Sequence, residues 1–191
     1  MSAKPIKILG IPGSLRELSF NRALIQAASD VAPEGVDVEM FLLHDVPFYN
    51  ADVEVQGNPE PVQRLKDAIG ASDGVLFATP QYNASVSGVL KNAVDWASRP
   101  AFESVLLEKP VAIIGATTGR SATEKARTEL MNVLRSTRSH VMESPTIGIS
   151  NSRDHIEAGD LHSEEVRDQI RDLLADFALF IRGHSLSEAA D

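Results

Sequence analysis

The chain has 191 residues, of which 43% are hydrophobic and 24% are charged, proportions typical of a globular domain with a sizeable core. Its net charge of −9 disfavours nucleic acids and anionic membranes as partners, because both call for a basic surface. It has no cysteine, which excludes disulfides, a thiol nucleophile and an iron–sulfur cluster. We identify no signal peptide and no apolar run of the about 18 residues that a membrane span needs, and therefore expect a cytoplasmic protein.

Hydrophobic periodicity predicts five strands that alternate with five helices. The predicted strands are Ile6–Gly10, Val36–Leu43, Asp73–Thr79, Val111–Ala116 and a fifth within Val141–Ile149 that Pro145 interrupts. The predicted helices are approximately Ser19–Val31, Pro59–Ala71, Gly88–Ser98, Ala122–Thr137 and Glu164–Arg182. This alternation is typical of a doubly wound parallel α/β sheet with helices on both faces. No linker or repeat divides the chain, so we predict a single domain over residues 1–191.

Several residues are predicted to mark helix ends. Ser19 and Asn58 stand where the N-caps of the first two helices are expected. Ser121 and Glu124 have the spacing of a capping box. Gly183 is expected to end the last helix.

In a doubly wound sheet, ligands bind beyond the carboxyl ends of the strands. The first loop there, "GIPGSLRELSFN", places Gly13 in a tight turn and brings together short donors from Ser14, Ser19 and Asn21. Arg16 adds a planar set of charged donors. Because a helix begins in this loop, the combination suits a terminal phosphate. The alternative is an ordinary strand-to-helix turn with an exposed arginine; the loop matches neither a nucleotide-hydrolase P-loop nor a dinucleotide fingerprint.

The second loop begins Pro80-Gln81-Tyr82-Asn83. An aromatic face, an amide and backbone donors would suit a flat heterocycle, but Tyr82 packing on a neighbouring loop with Asn83 in a turn is an equal alternative. A third loop, "GATTGRSA", either approaches a ligand or simply connects a strand to a helix. Trp96, on the helix after the second loop, is expected in the core or at a subunit interface.

Other chemistries have weaker signals. The five histidines are scattered, and the closest pair, in "DHIEAGDLH", has no standard metal spacing. The G-x-S-x-G turn of an α/β-hydrolase is also absent. We therefore predict no metal site and no hydrolase.

Two stretches carry a resemblance to a known family. "GSLRELSFN" and "TPQYNASVSGVLKNAVDWAS" resemble the two signatures of the NAD(P)H-dependent FMN reductase family, which includes chromate, quinone and azo-dye reductases. "AGDLHSEEVRDQIRDLL" is similar to that family's entry to the last helix. The resemblance implies a flavodoxin-like three-layer sandwich with a five-stranded parallel sheet in the order 2-1-3-4-5.

The resemblance also implies site residues from all three loops. The residues expected to hold the FMN phosphate are Ser14, Arg16, Ser19 and Asn21. Those expected to border the isoalloxazine are Pro80, Gln81, Tyr82 and Asn83. The third flavin-contacting loop is expected to comprise Thr117, Thr118 and Gly119.

Two departures from the family pattern stand in the second signature. Gln81 replaces the usual glutamate and removes a negative charge near the flavin. Ser87 replaces the usual proline, so we expect a less rigid loop.

By resemblance, the chain passes electrons from NADPH or NADH through FMN to a small acceptor such as a quinone, an azo compound, chromate or free flavin. No catalytic side chain is required, because the cofactor carries the chemistry. A homodimer or homotetramer is expected. The alternatives are a flavodoxin-type electron shuttle that docks protein partners, which the acidic charge would suit, and a flavin-free relative.

Overall fold

A computed structural model of the chain describes residues 4–188. The five predicted strands form, the fifth as two short pieces, and two further short strands follow. They are β1 (Ile6–Pro12), β2 (Val36–Met40), β3 (Gly74–Ala78), β4 (Pro110–Ala116), β5 (His140–Val141), β6 (Ile147–Ile149), β7 (Ile156–Glu157) and β8 (Asp160–Leu161).

The five predicted helices all form, and the long loop after β2 contains one further turn of helix. The helices are α1 (Phe20–Asp30), α2 (Ala51–Glu54), α3 (Glu60–Ala71), α4 (Gly88–Ala97), α5 (Glu124–Ser136) and α6 (Glu164–Glu188). A 3₁₀ turn at Ser152–Asp154 precedes the β7–β8 hairpin.

The main sheet is parallel, in the order β2-β1-β3-β4-β5, which confirms the order that the resemblance implies. The predicted fifth strand is divided at Pro145 into β5 and β6, and both pieces pair with β4. The division follows from proline chemistry, since proline has no N–H to donate to a neighbouring strand.

Two buried clusters lie on opposite faces of the sheet. On one face, α1 and α6 contribute Leu24, Ile25 and Phe177. On the other face, α3 and α4 contribute residues such as Leu65 and Leu90. Helices thus cover both faces, and the carboxyl ends of β1, β3 and β4 meet at one edge.

Among the described residues, no helix is long and apolar enough to cross a membrane.

Trp96 belongs to the core. Its side chain is fully buried, its Nε1 donates to the Pro47 carbonyl at 2.8 Å, and its ring meets Tyr49 edge-on at 5.0 Å. Asn92 donates to the same carbonyl at 2.9 Å. These contacts fasten the loop after β2 to α4, so Trp96 offers no exposed surface to a second subunit.

Two of the predicted helix starts are wrong. Asn58 does not cap α3: its Oδ1 accepts from Lys66 Nζ at 2.9 Å, and Pro59 stands at the N-cap position without a side-chain bond. The capping box at Ser121 and Glu124 does not form either, because α5 begins after Thr123 in a left-handed conformation. By contrast, Ser19 caps α1 as predicted, accepting from the Arg22 N–H at 3.3 Å.

The predicted end of the last helix at Gly183 is also wrong, since α6 continues to Glu188. Glycine ends a helix when it takes a left-handed conformation, but Gly183 is not among the residues with positive φ. A glycine inside a helix costs only about 1 kcal/mol relative to alanine, and α6 is well packed along the residues that precede it.

Candidate functional site

A cleft of about 410 Å³ lies at the carboxyl edge of the sheet. All three loops predicted from the sequence contribute to it, and we call it the carboxyl-edge cleft. Its lining residues are Ser14, Arg16, Ser19, Phe20, Asn21, Pro80, Gln81, Tyr82, Ala116, Thr117, Thr118 and Arg153. Of the eleven residues predicted for the site, Asn83 and Gly119 are the two that do not line it.

The first loop reaches the cleft along a narrow path. Gly13 permits this path, because a Cβ there would lie 2.9 Å from Leu90 Cδ2 and 3.1 Å from Pro80 Cδ. The Ser87 hydroxyl then donates to the Gly13 carbonyl at 2.7 Å and also accepts from the Leu90 N–H at 3.3 Å. Ser87 therefore ties the first two loops together. This contact restrains the second loop, which we had expected to be less rigid without the usual proline.

Asn21 ties the first loop to the end of β4. Its Nδ2 donates to the Ala116 carbonyl at 3.1 Å, and its Oδ1 accepts from the Ala116 N–H at 2.9 Å. The side chain is almost fully buried. Both ends of the Asn21 amide thus bond to backbone 95 residues away, so this residue positions two walls of the cleft.

Arg16 is exposed, and its guanidinium lies over the Phe20 ring, with Cζ 4.9 Å from the ring centroid. Such a contact restrains the arginine without neutralising it. Beside it, Ser14 Oγ accepts from the Arg16 N–H at 3.4 Å. A restrained cation next to the N-terminus of α1 is suited to an anion.

The second loop makes a tight turn. Tyr82 and Ser85 exchange two backbone hydrogen bonds, of 3.2 and 3.0 Å, and Asn83 and Ala84 both have positive φ. The Tyr82 N–H is therefore already used, although we expected backbone donors around this residue to face a ligand. The Tyr82 side chain remains 55% exposed, which leaves its aromatic face free to cover a ligand or substrate.

The Gln81 side chain joins the cleft to α5. Its Nε2 donates to Ser121 Oγ at 3.0 Å, and its Oε1 accepts from the Ala126 N–H at 3.3 Å. Ser121 thus bonds to Gln81 and does not cap α5, whose N-cap is Thr123.

A further tie joins the second loop to α5 through Glu129. Its carboxylate accepts from the Val86 N–H at 3.0 Å. A hydrogen bond from the Ser85 hydroxyl, followed by this one from the backbone, lowers the pKa of Glu129. The carboxylate form is the one that both donors stabilise.

The third loop is held by the 3₁₀ turn. The N–H and the hydroxyl of Ser152 both donate to the Thr117 carbonyl, at 3.0 and 2.8 Å, and the Asn151 N–H donates to the Gly119 carbonyl at 3.1 Å. Arg153, the next residue in this turn, lines the cleft. Sequence reasoning missed Arg153, because no local motif connects it with a loop 35 residues earlier.

The charge of the cleft is opposite to that of the chain. Two arginines line it, and among its described lining residues there is no aspartate, glutamate or histidine, although the chain carries a net charge of −9. The lining therefore offers cationic, hydroxyl and aromatic groups, which suit an anionic molecule with a flat ring. It offers no carboxylate–histidine pair for acid–base or nucleophilic catalysis.

Comparisons with known proteins agree with this chemistry. The family model for NADPH-dependent FMN reductases matches residues 6–154. An NAD(P)H-dependent FMN reductase of Pseudomonas aeruginosa is 42% identical over 178 residues, covering 93% of this chain and 96% of the relative. A 2-hydroxy-1,4-benzoquinone reductase of a Burkholderia species is 36% identical over 178 residues, covering 93% of this chain and 97% of the relative.

A solved structure is also similar. The flavoenzyme NAD(P)H:acceptor oxidoreductase FerB of Paracoccus denitrificans superposes with a TM-score of 0.83 and 34% sequence identity, covering 94% of this chain and 98% of that one.

Proposed function

This chain belongs to the NADPH-dependent FMN reductase family, and we propose that the carboxyl-edge cleft is where it binds FMN. The observation that carries this proposal is the charge of the cleft, which has two arginines and, among its described lining residues, no acidic one, in a strongly acidic chain. We also propose that residues 1–191 form one FMN-binding domain, because the loops that form the cleft come from both halves of the chain.

The chain is an oxidoreductase that transfers electrons from NAD(P)H through FMN to a small acceptor. FMN, when bound, supplies the redox chemistry between the nicotinamide and the acceptor. The protein's own tasks are to bind the cofactor, to orient its ring and to leave one face of the ring open to a second molecule.

In this proposal, Ser14, Arg16 and Ser19 hold the FMN phosphate together with the backbone N–H groups at the start of α1. Arg16 supplies the charge, and a charge-assisted hydrogen bond contributes about 1.5–3 kcal/mol. Asn21 acts indirectly: its amide is bonded to Ala116 on both sides, so it holds the first loop against the end of β4.

The ring end of the cofactor is assigned to the second and third loops. Pro80 and Gln81 border the ring in this proposal, and the exposed Tyr82 covers part of its surface or that of the acceptor. Asn83 shapes the turn, because it takes a positive φ next to Tyr82.

The third loop contributes through Thr117, Thr118 and Gly119. Thr117 and Thr118 line the cleft and contact the ring directly in this proposal, whereas Gly119 acts through the Asn151 contact that holds the loop. Arg153 adds a second cation, which stabilises negative charge on the ring or on an anionic acceptor.

We propose quinones as the acceptor class, with NADPH or NADH as the electron donor. The support comes from the Burkholderia relative, whose name specifies a hydroxybenzoquinone, and from the cationic cleft, which suits an anionic hydroxyquinone.

We also propose that the chain forms a homodimer or homotetramer in the cytoplasm. It rests on the family resemblance, since the buried Trp96 gives it no support.

Two measurements on the purified protein test the proposed function. The first is the absorption spectrum of the desalted protein, which should be that of stoichiometric bound FMN. The second is steady-state NADPH or NADH oxidation with a benzoquinone in the absence of any partner protein. Turnover in this assay distinguishes the enzyme from an electron shuttle, which would hold FMN but oxidise little NADPH or NADH alone. A colourless protein that does not take up added FMN would contradict the proposal.

A further inference from the structure

We propose that Glu108, His140 and His184 form a binding site for one divalent transition-metal ion, with zinc as the reference ion. The candidate ligand atoms, one from each side chain, all lie within 4.8 Å of one another. Glu108 lies just before β4, His140 begins β5 and His184 is on α6. The cluster is therefore at the amino edge of the parallel sheet, opposite the carboxyl-edge cleft.

The candidate ligand atoms need to move only a short way to reach the spacing that a bound ion requires. His140 Nε2 lies 2.6 Å from Glu108 Oε2, and the centroids of the two imidazole rings are 3.9 Å apart. Ligand atoms around tetrahedral zinc are about 3.3 Å apart, given metal–ligand bonds of about 2.0–2.1 Å. The His140 and Glu108 side chains are 44% and 49% exposed, which leaves them room to rotate apart as an ion binds between them.

The backbone around the cluster is held in place. The Glu108 N–H donates to the Arg138 carbonyl at 2.9 Å, and the His140 N–H donates to the Lys109 carbonyl at 3.0 Å. These bonds join the turn before β4 to the start of β5, so two of the three ligands come from one fixed piece of structure. The third comes from α6, which reaches the cluster only because it continues past Gly183.

The ligand chemistry favours a transition metal. Two imidazole nitrogens and one carboxylate oxygen are a known zinc ligand set that leaves a fourth position for water. Ca²⁺ and Mg²⁺ prefer an all-oxygen shell. Without metal, Glu108 and His140 form a half-exposed histidine–glutamate contact, and such exposed pairs contribute little to stability.

The expected role is structural. An ion bound by all three residues would link the C-terminal part of α6 to the sheet, away from the residues proposed to hold FMN. Because it binds only to the folded state, it should raise the melting temperature and leave turnover unchanged.

The test uses the FMN-loaded enzyme, freed of metal with a chelator and then titrated with zinc chloride against a chromophoric zinc indicator. The variants are His140→Ala, His184→Ala and Glu108→Gln, with His162→Ala as the matched control, because His162 is exposed and outside the cluster. Zinc binding is measured alongside the melting temperature and the quinone reductase rate.

We expect the wild type and His162→Ala to bind one zinc ion per chain. Each alanine variant in the cluster should raise the zinc Kd about tenfold or more. The wild-type melting temperature should rise by about 5–11 °C when zinc is at 100 times its Kd. Cobalt(II) bound to the wild type should show visible absorption typical of four-coordinate nitrogen and oxygen ligation, a readout that does not depend on how the variants fold.

The proposal is overturned if the wild type binds no stoichiometric zinc. It is also overturned if His140→Ala and His184→Ala bind zinc as the wild type does, or if His162→Ala loses as much affinity as they do.

Discussion

The first and second loops of the carboxyl-edge cleft use their polar groups differently. In the first loop, Ser19 caps α1 and both ends of the Asn21 amide bond to Ala116. In the second loop, the Tyr82 backbone closes a turn while the Tyr82 side chain stays 55% exposed. The first loop is thus fixed before a ligand binds, which reduces the entropy cost of binding. The second keeps an aromatic face available for a molecule that comes and goes.

The largest expected effect comes from breaking the fixed loop with Asn21→Ala. The substitution leaves the buried N–H and carbonyl of Ala116 without their partner, at about 1–3 kcal/mol for each group. We expect the free energy of unfolding in urea to fall by about 2–6 kcal/mol, and FMN to lose more affinity than riboflavin, because Asn21 holds the loop that is proposed to bind the phosphate.

The matched control for this prediction is Asn83→Gly, which removes an exposed amide and tolerates the positive φ of that position. It should change the unfolding free energy by no more than about 0.5 kcal/mol. Wild-type stability of Asn21→Ala would show that the Ala116 contact does not hold the loop.

Tyr82→Ala tests the function of the exposed aromatic side chain in the second loop. The variant should keep its FMN, because the phosphate loop is unchanged, but lose quinone reductase kcat/KM by about 2- to 12-fold, the equivalent of 0.5–1.5 kcal/mol of aromatic contact. Tyr82→Phe keeps the ring and should stay close to the wild type. Full turnover by a flavin-loaded Tyr82→Ala enzyme would return Tyr82 to a purely structural role.

Gln81→Glu tests how charge in the second loop acts on the cofactor. A carboxylate can still accept from the Ala126 N–H, so FMN affinity should change little. Its negative charge should lower the FMN midpoint potential by about 20 mV, equivalent to about 1 kcal/mol of repulsion. Gln63→Glu on α3, outside the cleft, serves as the control and should leave the potential unchanged. A potential that rises in Gln81→Glu would contradict the electrostatic argument.

The smallest effect concerns the tie between the second loop and Glu129. Because the Ser85 and Val86 hydrogen bonds lower the pKa of Glu129, its stabilising contribution is present above the unfolded-state pKa and is lost as the pH falls through the folded-state pKa. The wild type should therefore exceed Glu129→Gln in unfolding free energy by more at pH 7 than at pH 3. Urea unfolding at both pH values measures this, and a constant or growing difference at low pH would refute it.

The sequence predicts the features that depend on neighbouring residues and misses those that depend on contacts between distant segments. Periodicity found the five main strands and helices, and the contiguous first loop supplied four residues that line the cleft. Arg153 and the hydrogen bonds of Asn21 to Ala116 were missed, because each depends on a contact with a segment distant in the chain. Gly183 was misread because a glycine signals a helix end only where its φ is positive, which packing rather than sequence decides.

The proposed zinc site could not be predicted from the sequence for the same reason. Glu108, His140 and His184 are spaced 32 and 44 residues apart along the chain, and no standard motif has this spacing. Only the parallel sheet and the continuation of α6 bring them together, so a search for local motifs finds nothing there.

Arg16→Ala tests whether the first loop binds the phosphate of FMN. The measurement compares the affinities of the apoprotein for FMN and for riboflavin, which lacks the phosphate. We predict that FMN affinity falls about 10- to 150-fold, that riboflavin affinity is unchanged, and that Arg22→Ala, an arginine outside the cleft, alters neither. Equal weakening of FMN and riboflavin in Arg16→Ala would contradict the account.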